Sequence, residues 1–148
     1  MALPPFTADG DLPPGVHPAS LRDTLERFGT ASARRRANAL RLERIYHAAR
    51  SAGLLARFVV FGSFITNKPE PNDVDIFLLM ENGFDVSQLT GETRLLFDHA
   101  AAQAHFGGSV FWLRRSAALE GEQATIGYWQ VKRGGAERGI VEIIQESP

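Results

Sequence analysis

Two short apolar runs, separated by a polar loop, dominate the hydrophobic pattern of this chain. Residues 58–61 (FVVF) and 74–80 (VDIFLLM) are rich in β-branched and aromatic side chains and have the length of strands. The segment between them contains Pro69, Pro71 and Asn72, which favour loops. The pattern therefore predicts two buried strands joined by a loop near the middle of the chain.

Helical periodicity precedes these strands. Apolar side chains recur at helical spacing between Ser20, which suits a helix N-terminus, and Gly29, which suits a helix end. A longer helix is predicted from Thr30 or Ser32 to about Ala52. Both helices are amphipathic, so we expect them to pack against the sheet that contains the central strands.

A third helix and a third strand are predicted after the central strands. The helix is expected to begin at Ser87 or Thr90 and to end near His105, before two glycines. Residues 109–113 (SVFWL) have the composition of a strand.

The two ends of the chain have different patterns. Residues 1–19 contain five prolines and few core-type side chains, which predicts an extended arm on the surface. Residues 125–132 and 139–144 flank two glycines and predict a closing hairpin. We therefore expect a single α+β domain over residues 20–148, a small mixed sheet packed with helices.

Length and composition are those of one soluble domain. The chain has 148 residues, of which 44% are hydrophobic and 22% charged. No apolar run approaches the ~20 residues of a membrane span, and the N-terminus lacks the pattern of a signal peptide. The absence of cysteine excludes disulfides and thiolate metal sites. We expect a cytoplasmic protein without a membrane partner.

The net charge of −1 conceals an uneven distribution of charge. Residues 21–57 contain nine arginines and three acids, whereas residues 58–100 contain two bases and seven acids. A basic helical region beside an acidic site suits a polyanion that contacts both. A helix with a solvated arginine face explains the same pattern.

Four residues in the central stretch carry the candidate chemistry. Gly62 ends the first strand without a Cβ, so a ligand or another backbone can approach closely, and Ser63 adds a hydroxyl and an N–H. Asp73 and Asp75 are two apart, so their side chains point to one face of a strand. Adjacent carboxylates repel each other, and Mg²⁺ bound to both carboxylates and to substrate phosphates would relieve that repulsion.

This arrangement resembles the signature of the DNA polymerase β-type nucleotidyltransferase superfamily: a hydrophobic strand, Gly-Ser, a short spacer, and Asp-x-Asp in a second strand. Here the motif is Gly62, Ser63, Asp73 and Asp75, with nine residues between Ser63 and Asp73. The chain is most similar to short bacterial minimal nucleotidyltransferases, which include antitoxins paired with all-helical toxins. A surface hairpin with coincidental acids is the alternative interpretation.

The resemblance implies a nucleotidyltransferase-like fold and a Mg²⁺-dependent transfer of a nucleoside monophosphate to a hydroxyl group. The donor would be ATP or another nucleoside triphosphate, and the acceptor a protein, a tRNA or a small molecule. Gly62 and Ser63 would bind the phosphates, while Asp73 and Asp75 would hold one or two Mg²⁺ ions.

Enzymes of that superfamily generally carry a third carboxylate on the next strand. Here residues 109–113 contain no acid, and Ser109 stands at the expected position. Glu142 is the candidate substitute; alternatively, it lies on an exposed strand edge. Lys132 and Arg133 (with Arg138) flank the closing turn and either contact the triphosphate or a polynucleotide backbone, or are solvated charges.

The missing acid leaves two functional hypotheses open. The protein is a nucleotidyltransferase, or it is a catalytically degenerate protein of that fold that binds a nucleotide or neutralises a toxin-like partner. The two differ in whether a further acid lies close to Asp73 and Asp75 in space.

Overall fold

A mixed five-stranded sheet forms the centre of the fold in the computed structural model, which describes residues 3–145. The sequence-based expectation of a single α+β domain is confirmed. The strands are β1 (Val16–Ala19), β2 (Leu55–Phe61), β3 (Val74–Met80), β4 (Gly108–Arg114) and β5 (Ile140–Ile143). The α-helices are α1 (Leu21–Phe28), α2 (Ala33–Ala52), α3 (Gly91–Leu95), α4 (His99–Phe106) and α5 (Glu122–Tyr128).

The strand order across the sheet is β1-β5-β2-β3-β4. The predicted central strands β2 and β3 are antiparallel neighbours, β2 also pairs antiparallel with β5, and the outer pairs β1–β5 and β3–β4 are parallel. In this register Asp75 lies between Phe61 on β2 and Ser109 on β4. The sheet therefore places the second aspartate of the motif beside the end of β2.

The two faces of the sheet are covered by different elements. The long helix α2 buries Leu42, Ile45 and Ala49 and packs on the face that carries Phe58. Because side chains alternate along a strand, Asp75 points to the opposite face. That face is partly covered by α5 and by Trp129, which follows it.

The predicted starts of the first two helices are confirmed in detail. The Ser20 side chain accepts a hydrogen bond from the backbone N–H of Asp23, and the Ser32 side chain accepts one from Arg35. These bonds satisfy N–H groups that have no partner within the helix.

The predicted hairpin over residues 125–132 and 139–144 is wrong in its first half. Residues 122–128 form α5, and only an isolated bridge joins Val131 to Glu137. The second half is β5, which is hydrogen-bonded to β1 on one side and to β2 on the other. A strand with two partners has no free edge for a third, so the aromatic segment folds as a helix over the sheet instead.

The single helix predicted from Ser87 or Thr90 to His105 is also wrong. It is divided into a short turn, α3 and α4, with a break just before Asp98. The Asp98 side chain accepts a hydrogen bond from Ala101 N, so it caps a new helix. The break buries Leu96 and Phe97 in the core.

The N-terminal segment is more deeply embedded than the predicted surface arm. Residues 16–19 form β1 on the edge of the sheet, and Leu12 is fully buried. The backbone N–H of Asn67, in the loop before β3, donates to Gly10 O at 2.9 Å. Residues 3–19 thus pack as part of the same folded unit as the central strands.

Among the helices of residues 3–145, none has both the length and the apolar character needed to cross a membrane.

Candidate functional site

The Gly-Ser turn lies at the end of β2 and directly against Asp75. Gly62 has φ 82° and ψ −165°, a backbone conformation that favours glycine. A Cβ at this position would collide with Asp75 Oδ2 and lie 3.0 Å from Asp75 Cγ. Because Gly62 has no side chain, the Asp75 carboxylate packs directly against the backbone of the turn, next to Ser63.

The residues that follow the turn are anchored in the core. Ser63 begins a single 3₁₀ turn, Ser63–Ile65, in which Phe64 and Ile65 are fully buried. The Ser63 carbonyl accepts hydrogen bonds from both the backbone and the side chain of Thr66. The burial of Phe64 and Ile65 and the bonds from Thr66 fix the backbone that follows Ser63, so the Ser63 hydroxyl and N–H have a defined position.

Arg35, on α2, binds the backbone of this turn and of the loop that follows it. The sequence-based reasoning missed this role. Its buried guanidinium donates to the carbonyls of Phe64 and Thr66, both at 2.7 Å, and to that of Lys68 at 2.5 Å. A fourth bond goes to Phe28 O at 3.0 Å. Burial lowers the pKa of Arg35, and a guanidinium nevertheless stays protonated at neutral pH.

A sequence signal for this anchor did exist. Arg35 and Asn38 continue the helical stripe of Leu42, Ile45 and Ala49, which are buried. Asn38 Nδ2 donates to Pro71 O at 2.9 Å, so it holds the second half of the same loop. Polar residues on a buried stripe need internal partners, and the carbonyls of the loop between β2 and β3 supply them.

Asp73 immediately precedes β3 and Asp75 is the second residue of that strand; both are half-buried and lie on the same sheet face. Burial raises the pKa of Asp75 to about 6, and repulsion from the Asp73 carboxylate adds to the rise. The charge of Arg138 and the Ser109 hydroxyl oppose it. The site therefore holds two carboxylates that are costly to ionise together without a cation.

The position opposite the pair on β4 is polar and uncharged. The Ser109 hydroxyl donates to Asp73 Oδ2 at 3.3 Å, and its oxygen lies 3.0 Å from Gln103 Oε1. Within residues 3–145, no group of three or more histidine, aspartate or glutamate side chains is placed to hold a metal ion. Any metal at this site would thus take protein carboxylates from the Asp73–Asp75 pair and its remaining ligands from substrate or water.

Glu142 does not join the pair. It aligns with Val59, two residues along β2 from the position opposite Asp75, and it lies a further strand away. Its carboxylate is bound by Arg57, at 2.5 Å and 3.1 Å. The alternative of an exposed edge is wrong as well, because β5 is an inner strand and Glu142 has a cation there.

Lys132 and Arg133 lie near the Gly62-Ser63 turn, and they differ in whether another side chain already binds them. Lys132 Nζ is 2.9 Å from Asp11 Oδ2, and Arg138 is 3.7 Å from the other oxygen of that carboxylate. Arg133 is exposed. Both Lys132 and Arg133 line a pocket of about 340 Å³ together with Phe61, the residue before Gly62. The pocket combines positive charge and aromatic surface next to the Gly-Ser turn.

Comparison with known proteins adds the family and nothing on activity. No curated protein matches the chain, and no solved structure matches it either. A family model matches residues 4–144, which is nearly the whole chain. The chain belongs to DUF6932, a family of unknown function.

Proposed function

We propose that the protein is a Mg²⁺-dependent nucleotidyltransferase that transfers AMP from ATP to a hydroxyl group. The observation that carries the proposal is the contact between the Gly62 backbone and the Asp75 carboxylate, with Asp73 beside it. A turn free of side-chain bulk and a pair of hard oxygen ligands meet at one point, as a metal-bound triphosphate requires. This contact also argues against a surface hairpin with coincidental acids.

The donor set suits Mg²⁺. Asp73 and Asp75 would bind it through carboxylate oxygens, and the ion would neutralise charge on the triphosphate. Ser63 would donate to a phosphate oxygen, while Arg35 keeps its turn rigid. Lys132 and Arg133 would contact the outer phosphates from the pocket beside Phe61.

The reaction is a displacement at the α-phosphorus. The acceptor hydroxyl oxygen forms a bond to that phosphorus, and the bond from the α-phosphorus to the bridging oxygen of the β-phosphate breaks. Pyrophosphate leaves, and the hydroxyl proton passes to solvent. Because Ser109 offers no carboxylate to abstract the proton, the proposed reaction relies on positioning of the acceptor hydroxyl.

The same missing acid favours a second candidate function. Ser109 interacts with Asp73 where a carboxylate would complete the site, and Glu142 is occupied by Arg57. A protein with this arrangement would bind Mg²⁺-nucleotide without turnover and act as a nucleotide-binding partner of another protein, such as a toxin. The two functions share the binding step and differ in transfer.

Calorimetric titration of ATP, with and without Mg²⁺, tests both candidates. Wild type is compared with Asp75→Asn and with the control Asp85→Asn. Asp85 is an exposed acid beyond the opposite end of β3, and its side chain caps a short turn, which asparagine can cap as well. We expect Mg²⁺-dependent binding to wild type and Asp85→Asn, and none to Asp75→Asn. Transfer of label from α-labelled ATP would then establish the enzyme, and binding without transfer the second candidate. Absence of binding to every nucleoside triphosphate would refute both.

A further inference from the structure

A second concave site lies on the same face of the sheet as Asp75. The groove has a volume of about 610 Å³ and runs between the β3–β4 pair and α5. Phe77 and Phe111 line it from the sheet, and Tyr128 and Trp129 line it from the end of α5. Nine of its eleven lining residues are apolar or aromatic. This size and composition are those of small-molecule sites.

Several of the apolar side chains that line the groove are exposed to solvent. Phe111 is 39% exposed, Tyr128 66% and Leu119 93%, and all three line it, as does the partly exposed Leu113. Single exposed apolar residues are common on proteins, whereas a concave cluster of them marks a binding surface.

A buried donor beside the groove lacks a partner. Trp129 is stacked against Phe61 and Phe77, with ring centroids 4.5 Å and 5.1 Å apart. Its indole Nε1 is buried and, within residues 3–145, is the one such side-chain nitrogen or oxygen without a hydrogen bond. By contrast, Trp112, which also contributes to the lining of the groove, donates from Nε1 to Phe97 O at 2.9 Å. The described part of the protein thus provides no acceptor for the indole N–H of Trp129.

The sheet register connects the groove to the aspartate pair. Asp75 is paired with Ser109, and the next pair on the same face is Phe77 with Phe111. Two residues along a strand span roughly 7 Å. Trp129 covers Phe77, whereas Phe111 is 39% exposed, so a ring held against Phe111 would lie about that distance from the Asp75–Ser109 pair and direct a substituent towards it.

Charge restricts what the groove can hold. Glu120 is the one charged residue among those that line it, and the nearby Arg115 is paired with Glu81 and Glu122. No cation in the lining is placed for a phosphate. The pocket beside Phe61, on the other side of Trp129, carries Lys132 and Arg133 instead. The two pockets, which share Tyr128 and Trp129, therefore differ in charge and suit different kinds of ligand.

We propose that the groove binds the acceptor substrate, a small uncharged molecule with a flat aromatic body and a hydroxyl group that reaches the Asp73–Asp75 pair. This assignment rests on the proposed function and narrows its acceptor to an aromatic alcohol or phenol. The hydroxyl oxygen is the atom that attacks the α-phosphorus, with pyrophosphate leaving as described above. Few hydrogen-bonding groups line the groove, so shape and aromatic stacking select the acceptor.

Two-dimensional ¹H–¹⁵N NMR provides the test, because the chain has only two tryptophans and hence two indole N–H signals. The variant Trp112→Phe identifies which signal belongs to Trp129. We expect titration with 2-naphthol, without nucleotide, to shift the Trp129 signal saturably and by more than the Trp112 signal, because the Trp112 indole N–H is already bonded to Phe97 O. No saturable shift would overturn the proposal.

A matched pair of variants locates the binding. Ala124 is exposed and lines the groove, and Gln123, its neighbour on α5, is exposed and does not. Filling the groove with Ala124→Phe should weaken 2-naphthol binding by at least about ten-fold, whereas Gln123→Phe should change it by less than about two-fold. Equal binding to both variants would overturn the proposal.

Three further outcomes separate the occupants and the two proposals. Displacement of 2-naphthol by adenosine would make the groove the site of the donor's base and overturn the acceptor assignment. A dimer in light scattering that Ala124→Phe dissociates would make it a self-association surface. Binding of 2-naphthol without Mg²⁺-dependent ATP binding would refute the proposed function and the acceptor role with it. ATP binding without 2-naphthol binding would refute the groove assignment alone.

Discussion

At the scale of single residues, the site depends on one carboxylate placed where ionisation is unfavourable. Asp75 is held against the Gly62 backbone and beside Asp73, and its pKa is raised from 3.8 to about 6. An acid whose pKa is higher in the folded than in the unfolded state destabilises the fold once it is ionised. That cost is absent below the unfolded pKa, grows as pH rises from about 4, and is complete above about 6.

The first prediction concerns this cost in the absence of metal. Asp75→Asn should raise the free energy of unfolding at pH 8 by about 2 kcal/mol relative to wild type, and the difference should shrink towards zero near pH 4. Urea unfolding at several pH values measures it. A difference that stays constant between pH 4 and pH 8 would contradict the raised pKa.

The second prediction separates backbone strain from collision at Gly62. Gly53 has nearly the same conformation, φ 74° and ψ 168°, and a Cβ there would meet nothing within 4 Å. Both Gly62→Ala and Gly53→Ala should lose about 1–3 kcal/mol of unfolding free energy through strain. Only Gly62→Ala should also abolish Mg²⁺-dependent ATP binding, because its Cβ displaces the Asp75 carboxylate. Calorimetry on both variants checks this, and equal loss of binding would refute the collision.

At the scale of elements, α2 positions the loop between β2 and β3. Arg35 bonds the carbonyls of three residues in that loop, and Asn38 bonds a fourth. The excess of arginine in the first half of α2 therefore has more than one explanation: Arg35 is structural, whereas Arg34 and Arg36 are exposed. The charge pattern alone does not separate these roles.

The third prediction tests that anchor. Arg35→Ala should lower the free energy of unfolding by about 2–4 kcal/mol, because it leaves four carbonyls, three of them buried, without this donor. Arg36→Ala, an exposed neighbour with one weak bond to Thr30 O, should cost less than about 0.5 kcal/mol. Urea unfolding compares the two. Arg35→Lys should not restore stability, because an ammonium lacks the planar set of donors.

At the scale of the whole molecule, the N-terminal segment joins the loop after α5 to the rest of the fold. Asp11 is almost fully buried and contacts Lys132 and Arg138. The charge of Arg138 also opposes the rise that burial causes in the pKa of Asp75. Gly139 N donates to Leu12 O at 2.9 Å, which continues the connection along the backbone. Residues far apart in sequence thus meet beside the candidate site.

The fourth prediction follows from this connection. Asp11→Asn leaves two cations near a neutral side chain and should lower the free energy of unfolding by about 1–3 kcal/mol. Amide hydrogen exchange should speed up in residues 130–139. Asp9→Asn, a change of an exposed acid in the same segment, serves as the control and should leave exchange unchanged. Equal exchange in the two variants would contradict the link.

Several features were determined by the sequence alone. The central strands, the cap at Ser20, the second cap at Thr30 or Ser32, and the placement of the Gly-Ser turn near the Asp-x-Asp motif all depend on local patterns or on strands that are close in the chain. Short-range periodicity and capping chemistry act within a few residues, so they can be read without knowing the fold.

Other features were decided only by the tertiary structure. Residues 125–132 have the composition of a strand, but both edges of β5 are taken by β1 and β2, so the segment packs as a helix and turn across the sheet. Glu142 meets Arg57 rather than the aspartates for the same reason, since strand order determines its neighbours. Which strands pair, and hence which side chains become neighbours, depends on contacts between residues far apart in the chain. Local sequence patterns therefore do not predict these neighbours.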